Sequence, residues 1–313
     1  MEGTLQRPKH TAELLQDILE RAKALPEQGK VADYIPALAE VNPDYTGIAV
    51  AELDGNVHIA GDAQIPFSIQ SISKIFGLTL AMERMGDALW QRVRMEPSGQ
   101  AFNSIMQLEW EQGIPRNPFI NAGAIVVADT LVSHYSASRT ALIQFVRSLA
   151  NNPLIHADET VWESEREHGS RNAALAYLMK SFNNIEADVE TVLDHYFYQC
   201  SLNMSCVDVA RSLAFLANRG LQPSSREIIC DPRSTHRINA MLSTSGMYDQ
   251  SGEFAFSVGL RAKSGVGGGL VAVVPDYGVI CAWSPKLNRF GNSCRGMFMV
   301  TQLAEELGLS VYS

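Results

Sequence analysis

Strand-like segments lie at both ends of this chain, and this arrangement constrains its fold more than any other feature. Short runs rich in β-forming residues cover positions 47–52, 56–60, 269–274 and 278–283. Asp54-Gly55, between the first two runs, predicts a hairpin. From about residue 71 to residue 245 the apolar residues recur at helical spacing instead. Terminal strands that pair in one antiparallel sheet would bring the two chain ends together and leave the middle as a helical insertion.

The predicted fold class is therefore α+β: an antiparallel sheet built from both chain ends, flanked by terminal helices, with an inserted all-helical lobe. Helical apolar spacing over residues 10–25 and 297–308 indicates the flanking helices. We expect a single domain over 1–313, with a sheet lobe at about 1–70 and 246–313 and a helical lobe at about 71–245. The sequence shows no linker between the lobes, so we expect a binding site at their interface.

Composition disfavours several classes of function. Hydrophobic residues make up 46% of the 313 residues and charged residues 19%, which provides a large core and argues against disorder. The net charge of −9 disfavours nucleic acid and anionic membranes as partners. No apolar run reaches about 18 residues, and the polar N-terminus lacks the pattern of a signal peptide. The seven histidines show no metal-ligand spacing, and the five cysteines, with no C-x-x-C pair, favour free thiols in the cytoplasm.

The segment from Phe67 to Lys74 contains an S-x-x-K unit, Ser71 and Lys74, at the start of an apolar run. Residues three apart on a helix share a face, so the lysine amine could take the proton of the serine hydroxyl. Serine becomes an effective nucleophile only when a base does this. Taken alone, the unit also fits a helix cap beside a solvated lysine, which is the commoner situation.

A second unit, Lys263-Ser264-Gly265, stands at the start of a predicted strand and continues into a glycine-rich run as far as Gly269. Glycines let a ligand or another backbone approach closely, and a strand edge there offers amide N–H groups to an oxyanion. Alone, the unit equally fits a solvated lysine beside a glycine turn. S-x-x-K before a helical region and K-[ST]-G after it is the arrangement of penicillin-recognising serine enzymes.

Longer segments resemble the bacterial serine-dependent glutaminases, which share the β-lactamase-like fold. The resemblance runs from about Gly29 to Gly308, and chance agreement over so many separate segments is not a serious alternative. The matching segments are residues 67–74, 117–125, 164–165, 171–172, 196–201, 246–249, 263–269 and 284–296.

The resemblance implies roles residue by residue. Ser71 is similar to the nucleophile of the family, Lys74 to its base, and Tyr248 to the proton shuttle that serves the leaving ammonia. The backbone amides of Ser71 and Val266 resemble its oxyanion hole. The residues similar to the family's glutamine-binding set are Tyr34, Asn121, Glu165, Asn172, Tyr196, Tyr248 and Val266, and those similar to its supporting strand are Lys263, Ser264 and Gly265.

The residue types suit a free amino acid as ligand. The carboxylate of Glu165 can pair with an α-ammonium group, and amide and phenol donors can bind an α-carboxylate. Considered without the resemblance, Asn121 and Asn172 fit helix capping or loop support better. Tyr196 and Tyr248 would then be partly buried aromatic residues with satisfied hydroxyls.

The sequence therefore predicts a glutaminase that hydrolyses L-glutamine to L-glutamate and ammonia through an acyl-enzyme on Ser71, with Lys74 as base. No cofactor or metal is expected, and the resemblance implies a homodimer or homotetramer. One alternative is a penicillin-recognising serine hydrolase, which would be exported to the cell envelope. A second is a non-catalytic amino-acid sensor, which would bind glutamine without turnover.

Overall fold

The computed structural model describes residues 11–26, 29–99 and 105–312 of the chain. The polar segment 1–10, and with it the first residue of the predicted first helix, lies outside the described residues. No helix within the described ranges is long and apolar enough to cross a membrane.

Two antiparallel sheets contain the strands of the described residues. In chain order the strands are β1 (Gly47–Glu52), β2 (Val57–Gly61), β3 (Phe67–Ser68), β4 (His156–Ala157), β5 (Leu202–Met204), β6 (Arg261–Ser264), β7 (Gly269–Val274) and β8 (Gly278–Trp283). The larger sheet has the order β2-β1-β8-β7-β6, and the smaller one β3-β5-β4. Gly47 of β1 pairs with Trp283 of β8, so the larger sheet joins the two chain ends. This confirms the predicted α+β fold.

Strands β1, β7 and β8 are buried along their whole length because the larger sheet is covered on both faces. Successive side chains of a strand point to opposite faces. Ile48 and Val50 accordingly belong to the hydrophobic cluster that contains the terminal helices. Ala49 and Ala51 belong to the cluster that contains helices from the middle of the chain. The sheet therefore separates the terminal helices from the inserted ones.

The inserted helices surround a buried central helix. In chain order the helices of the described residues are α1 (Thr11–Lys23), α2 (Pro36–Ala39), α3 (Lys74–Met85), α4 (Leu89–Arg92), α5 (Ile105–Trp110), α6 (Asn121–His134), α7 (Ser138–Ala150), α8 (Glu159–Glu167), α9 (Ser170–Ser181), α10 (Val189–Cys200), α11 (Cys206–Ser212), α12 (Ala214–Ala217), α13 (Pro232–Ser245), α14 (Ser251–Ser257) and α15 (Cys294–Leu307). Helix α6 is buried from Ala122 to Leu131 and packs against α3 and α10. The first residue of α6 is Asn121, so this rigid helix fixes a predicted site residue.

The structure differs from the sequence prediction in three details. The mostly helical region also contains β4 and β5, which at two and three residues are too short to give a periodic signal. Lys263 lies near the end of β6, because the strand already begins at Arg261. Ser71 lies in a 3-10 turn, and the α-helix begins only at Lys74. The left-handed backbone of Gln70, with φ at +48°, sets this turn apart from the helix that follows.

Candidate active site

A pocket of about 350 Å³ lies where the end of β6, the turn before α3 and the helices α6, α8, α9 and α10 meet. Its walls are formed by Tyr34, Gln70, Ser71, Asn121, Glu165, His168, Arg171, Asn172, Tyr196, Cys200, Tyr248 and Val266. The pocket therefore collects side chains from widely separated parts of the sequence, and it holds both hydroxyl groups and a carboxylate.

The serine turn, Gln70–Ser73, holds Ser71 at the pocket wall. The amide of Ile69, which precedes the turn, donates to the carbonyl oxygen of Leu202 in β5 at 2.9 Å. The left-handed conformation of Gln70 costs a non-glycine residue about 1–2 kcal/mol. Contacts of its buried side chain hold it there: Nε2 donates to the Ser68 hydroxyl at 3.0 Å, and Oε1 lies 3.1 Å from the Tyr34 hydroxyl oxygen.

Strand β6 ends directly against the serine turn because residue 265 is a glycine. A Cβ atom at Gly265 would lie 2.5 Å from the carbonyl oxygen of Ile69 and 3.4 Å from the amide nitrogen of Ser71. This close approach brings the next residue, Val266, to the pocket wall. Among the described residues the Val266 amide has no hydrogen-bond acceptor, so a donor is available near Ser71. Backbone amides placed in this way can stabilise an oxyanion.

The amine of Lys74 is buried beneath the pocket, with only 1% of the residue exposed. Its Nζ atom donates to Oδ1 of Asn121 at 2.8 Å and to the carbonyl oxygen of Phe119 at 3.1 Å. Burial lowers the pKa of Lys74 to about 8, although the negative charge of Glu165 opposes this change. Much of this amine is therefore neutral near pH 8, so it can act as a base.

A second buried lysine, Lys263, lies behind Tyr248. Its Nζ atom donates to the carbonyl oxygen of Ser264 at 2.6 Å and lies 4.9 Å from the centroid of the Tyr248 ring. Burial lowers the pKa of Lys263 well below its usual value, and the positive charge of Lys74 lowers it further. Lys263 therefore supports the pocket wall from behind, and it is not part of the pocket surface.

The tyrosine turn, Tyr248–Gln250, brings a phenol to the pocket from the opposite side. It is also a 3-10 turn, and Tyr248 itself has a left-handed backbone with φ at +53°. The Tyr248 hydroxyl donates to the carbonyl oxygen of Ser264 at 3.3 Å. Burial raises the pKa of Tyr248 above its usual value, and a hydrogen bond with Ser71 opposes the rise. The phenol therefore stays protonated near neutral pH and lies next to the serine hydroxyl.

The carboxylate of Glu165 defines the other end of the pocket. An N-cap fixes its helix, α8, where the Asp158 side chain accepts from the amide of Val161. Glu165 is only 5% exposed, and its Oε1 atom accepts from the Tyr34 hydroxyl at 2.7 Å. Burial raises the pKa of Glu165, and hydrogen bonds from Tyr34 and Gln70 oppose the rise. A buried carboxylate of this kind is suited to pairing with a ligand cation.

The amides of Asn121 and Asn172 and a further tyrosine, Tyr196, complete the pocket wall between Tyr248 and Glu165. Nδ2 of Asn121 donates to Oδ1 of Asn172 at 3.0 Å, which links α6 to α9. Tyr196 on α10 is 3% exposed, and its ring centroid lies 5.9 Å from Nζ of Lys74. The Asn121 amide thus contacts the lysine and the second amide at once, so the buried amine and the pocket wall are held in one network.

The structure brings most of the predicted site residues together. Those that line the pocket are Tyr34, Ser71, Asn121, Glu165, Asn172, Tyr196, Tyr248 and Val266. Those that lie behind its wall are Lys74, Lys263, Ser264 and Gly265.

The sequence interpretation missed four residues of the pocket wall: Gln70, His168, Arg171 and Cys200. The sequence signal for each of these residues is its position close to a predicted site residue. Gln70 directly precedes Ser71, and Arg171 directly precedes Asn172. His168 and Cys200 lie three and four residues after Glu165 and Tyr196, respectively, which is one helical turn.

Comparisons with known proteins are consistent over the whole chain. A family model described as Glutaminase matches residues 29–312. A protein named Glutaminase from Pseudomonas entomophila (strain L48) is 55% identical over 96% of this chain and 98% of its own length. Another of that name, from Aliivibrio salmonicida (strain LFI1238), is 54% identical over 97% of this chain and 100% of its own.

Solved structures show the same similarity. A protein described as "Probable glutaminase ybaS" superimposes with a TM-score of 0.91 at 35% identity, over 96% of this chain and 99% of that one. A probable glutaminase of Bacillus subtilis gives 0.89 at 33% identity, over 98% and 99%. A protein named Mglu, solved in its glutamate form, gives 0.91 at 34% identity, over 97% of this chain and 70% of that one.

Proposed function

The chain belongs to the glutaminase family of amide hydrolases, and we propose that it hydrolyses the side-chain amide of L-glutamine through an ester on Ser71. The products are L-glutamate and ammonia. The observation that carries the proposal is the pocket itself, where the Ser71 hydroxyl lies next to the Tyr248 phenol, above a buried amine and facing the Glu165 carboxylate.

We assign the role of base to Lys74. A neutral amine has two N–H donors and one lone pair, and the two acceptors of Lys74 occupy both donors. The lone pair then remains for the proton of the Ser71 hydroxyl, three residues earlier on the same turn of the chain. The lowered pKa of Lys74, about 8, supports this role because a base must be unprotonated at the working pH.

Attack of Ser71 on the amide carbon would create an oxyanion, and we assign its binding to the amides of Ser71 and Val266. The open Val266 amide and the close approach of β6 to the serine turn support this assignment. Such donors act on the transition state more strongly than on the substrate, since the negative charge develops only during attack.

Tyr248 would deliver a proton to the leaving nitrogen. Its raised pKa keeps the phenol protonated, and its hydrogen bond with Ser71 places it where the C–N bond breaks. Ammonia then leaves, and the proton that Lys74 took from Ser71 passes to the Tyr248 phenolate, which restores both groups. Water then attacks the γ-glutamyl ester, and neutral Lys74 takes the proton of the water and passes it to the Ser71 oxygen. Serine is released as the free hydroxyl, and glutamate dissociates.

The Glu165 end would bind the α-ammonium of glutamine, with Tyr34 and Gln70 holding the carboxylate in place. Asn121, Asn172 and Tyr196 would contact the rest of the amino-acid backbone through neutral donors. A ligand cation would also lower the pKa of Glu165 and so counteract the rise that burial causes.

Coupled measurement of ammonia release from L-glutamine by the purified chain tests the proposal. We expect turnover of glutamine, and a glutamine-like diazo ketone should add one mass increment to the peptide that contains Ser71. Binding of glutamine without ammonia release would favour the amino-acid sensor, and hydrolysis of nitrocefin without glutamine hydrolysis would favour a penicillin-recognising enzyme. Label on a different peptide would remove Ser71 from the mechanism.

Three further predictions belong with this function. We propose that the chain forms one catalytic domain. Its sheet lobe comprises about 1–70 and 246–313, and its helical lobe comprises about 71–245. The five cysteines are free thiols, which suits a cytoplasmic enzyme. We also propose a homodimer or homotetramer, and light scattering of the purified chain would measure its mass.

A further inference from the structure

Three side-chain amides meet behind the tyrosine turn, and we call Gln250, Asn288 and Asn292 the amide clamp. Nδ2 of Asn292 donates to Oε1 of Gln250 at 2.8 Å and to the carbonyl oxygen of Met247 at 3.2 Å. Nδ2 of Asn288 donates to the same Oε1 atom at 2.8 Å. The clamp therefore ties both sides of Tyr248, at positions 247 and 250, to the loop between β8 and α15.

The loop that carries the clamp is rigid by its own hydrogen bonds. The amide of Asn288 donates to the carbonyl oxygen of Asn292 at 2.8 Å. Oδ1 of Asn288 accepts from the amides of Phe290 at 2.9 Å and Asn292 at 3.2 Å. A preorganised loop can hold a strained partner in place, whereas a mobile loop would let it relax.

One edge of the Tyr248 ring packs against the same loop. A Cβ atom at Gly291 would lie 3.5 Å from Cε2 of the Tyr248 ring and 3.7 Å from Cγ1 of Val266. Gly291 has φ at +93°, a conformation that favours glycine, so the loop can turn against the ring at this point. The amine of Lys263 is also close to the ring, 4.9 Å from its centroid.

Two features show that this arrangement is maintained against a cost in free energy. Tyr248 is left-handed at φ +53° although it carries a bulky side chain. Asn292 is fully buried, and no described residue hydrogen-bonds with its Oδ1 atom. A buried polar atom without a partner destabilises a fold, so its presence calls for an explanation other than folding stability. The two hydrogen bonds from Nδ2 of Asn292 provide that explanation, since both hold the tyrosine turn in place.

We infer that Asn292 is a positioning residue, which acts through the amide clamp to hold the Tyr248 phenol against Ser71. The inference rests on the proposed function only for the role of Tyr248 as proton donor. The clamp contacts the backbone on both sides of Tyr248 and does not reach the pocket surface, so the substrate itself never touches Asn292.

The leaving group of the substrate separates a positioning role from a merely structural one. Ammonia needs a proton to leave, whereas the phenolate of a γ-glutamyl nitrophenyl ester does not. In Asn292→Ala we expect kcat for glutamine to fall about 30-fold or more, and kcat for the ester to fall less than about threefold. Tyr248→Phe should show the same selectivity, and the double variant should be no worse than Tyr248→Phe alone, because both changes remove one function.

Asn239→Ala is the matched control. Asn239 is also a buried amide. Its Nδ2 donates to the carbonyl oxygen of Leu216 at 2.9 Å, and its Oδ1 also lacks a hydrogen-bond partner among the residues that the structure describes. It should lower the melting temperature by a similar amount and leave the ratio of the two rates unchanged. If Asn292→Ala lowers both rates equally, as a loss of folded protein would, the positioning role is wrong.

A spectroscopic measurement reports the position of Tyr248 without reference to catalysis. With 3-fluorotyrosine at position 248, the ¹⁹F resonance should shift in Asn292→Ala and stay in place in Asn239→Ala. An unchanged resonance in Asn292→Ala would overturn the inference. A shifted resonance combined with no selectivity in Tyr248→Phe would support the clamp and refute the proton-donor role of Tyr248, so the two failures are distinguishable.

Discussion

The serine turn and the tyrosine turn are built alike but supported differently. Each is a 3-10 turn with a left-handed residue that is not glycine, at Gln70 and Tyr248, and each brings a hydroxyl group to the pocket. The serine turn leads directly into α3, whose first residue is Lys74. The tyrosine turn is held by the amide of Asn292, which is 42 residues beyond Gln250 and 45 beyond Met247.

This difference explains why a short sequence motif indicates Ser71 and Lys74 but not Tyr248. Ser71 and Lys74 lie within one turn of the chain, so their spacing is a local pattern that a sequence shows directly. The orientation of Tyr248 depends instead on β6 and on the loop after β8, which are distant from it in the sequence. Variants on the two turns should therefore separate the nucleophile and its base from the delivery of a proton.

The largest effect is expected on the serine turn. Ser71→Ala should lower kcat by several orders of magnitude, since removal of a nucleophile leaves only binding and the oxyanion hole. Ser73→Ala is the matched control, because the buried hydroxyl of Ser73 lies on the same turn and has no hydrogen-bond partner within the described part of the chain. It should stay within about threefold of wild type. Coupled ammonia release measures both, and a Ser71→Ala enzyme with near-normal turnover would exclude the acyl-enzyme.

A smaller effect is expected on the tyrosine turn. Tyr248→Phe removes the hydroxyl and keeps the ring, and it should lower kcat for glutamine about 10²- to 10³-fold, the usual contribution of a general acid. Tyr198→Phe is the control, since this half-buried tyrosine does not line the pocket. It should stay within about twofold. A Tyr248→Phe enzyme as active as the control would show that the two turns share a backbone conformation but that the Tyr248 hydroxyl has no role in catalysis.

The pH dependence of turnover should follow the protonation of Lys74, which directly follows the serine turn. Lys74 must be neutral to act as a base and has a pKa of about 8, so kcat/KM should rise with pH up to that value. Below it, the protonated fraction dominates and the rate should fall about tenfold per pH unit. Glu165→Gln should move this limb to lower pH, because the negative charge of Glu165 raises the pKa of Lys74.

The same pH profile distinguishes the two turns. Tyr248→Phe should leave the acid limb in place, since the phenol stays protonated throughout this range. Disappearance of the limb in Tyr248→Phe would assign it to the tyrosine turn, and a rate that falls steadily from pH 4 to pH 8 would contradict Lys74 as base.

The smallest effect concerns the ligand end, where the Tyr34 hydroxyl lies between the Glu165 carboxylate and Gln70 of the serine turn. Glu165→Gln keeps the shape and removes the charge, so kcat/KM for glutamine should fall at least about tenfold, or roughly 1.4 kcal/mol. The variant should also lose its preference over an analogue without the α-amino group. Glu167→Gln, on the exposed side of the same helix, is the control and should stay within about twofold. Equal behaviour of the two variants would remove Glu165 from the ligand site.

Much of the fold was predictable from the sequence because its signals are local. The strands at 47–52, 269–274 and 278–283 match the structure residue for residue, since continuous apolar runs between turn residues indicate buried strands. The short strands β4 and β5 gave no such signal. They nevertheless matter, because β5 accepts the hydrogen bond from Ile69 that ties down the serine turn.

The sequence by itself determined the candidates for the nucleophile and its base, because a serine and a lysine three positions apart, and the segments around them, are properties of the chain alone. Only the tertiary structure decided which groups surround them. His168, Arg171 and Cys200 enter the pocket because α8, α9 and α10 pack around it. Burial, which no sequence pattern measures, lowers the pKa of Lys74 and turns an ordinary cation into a candidate base.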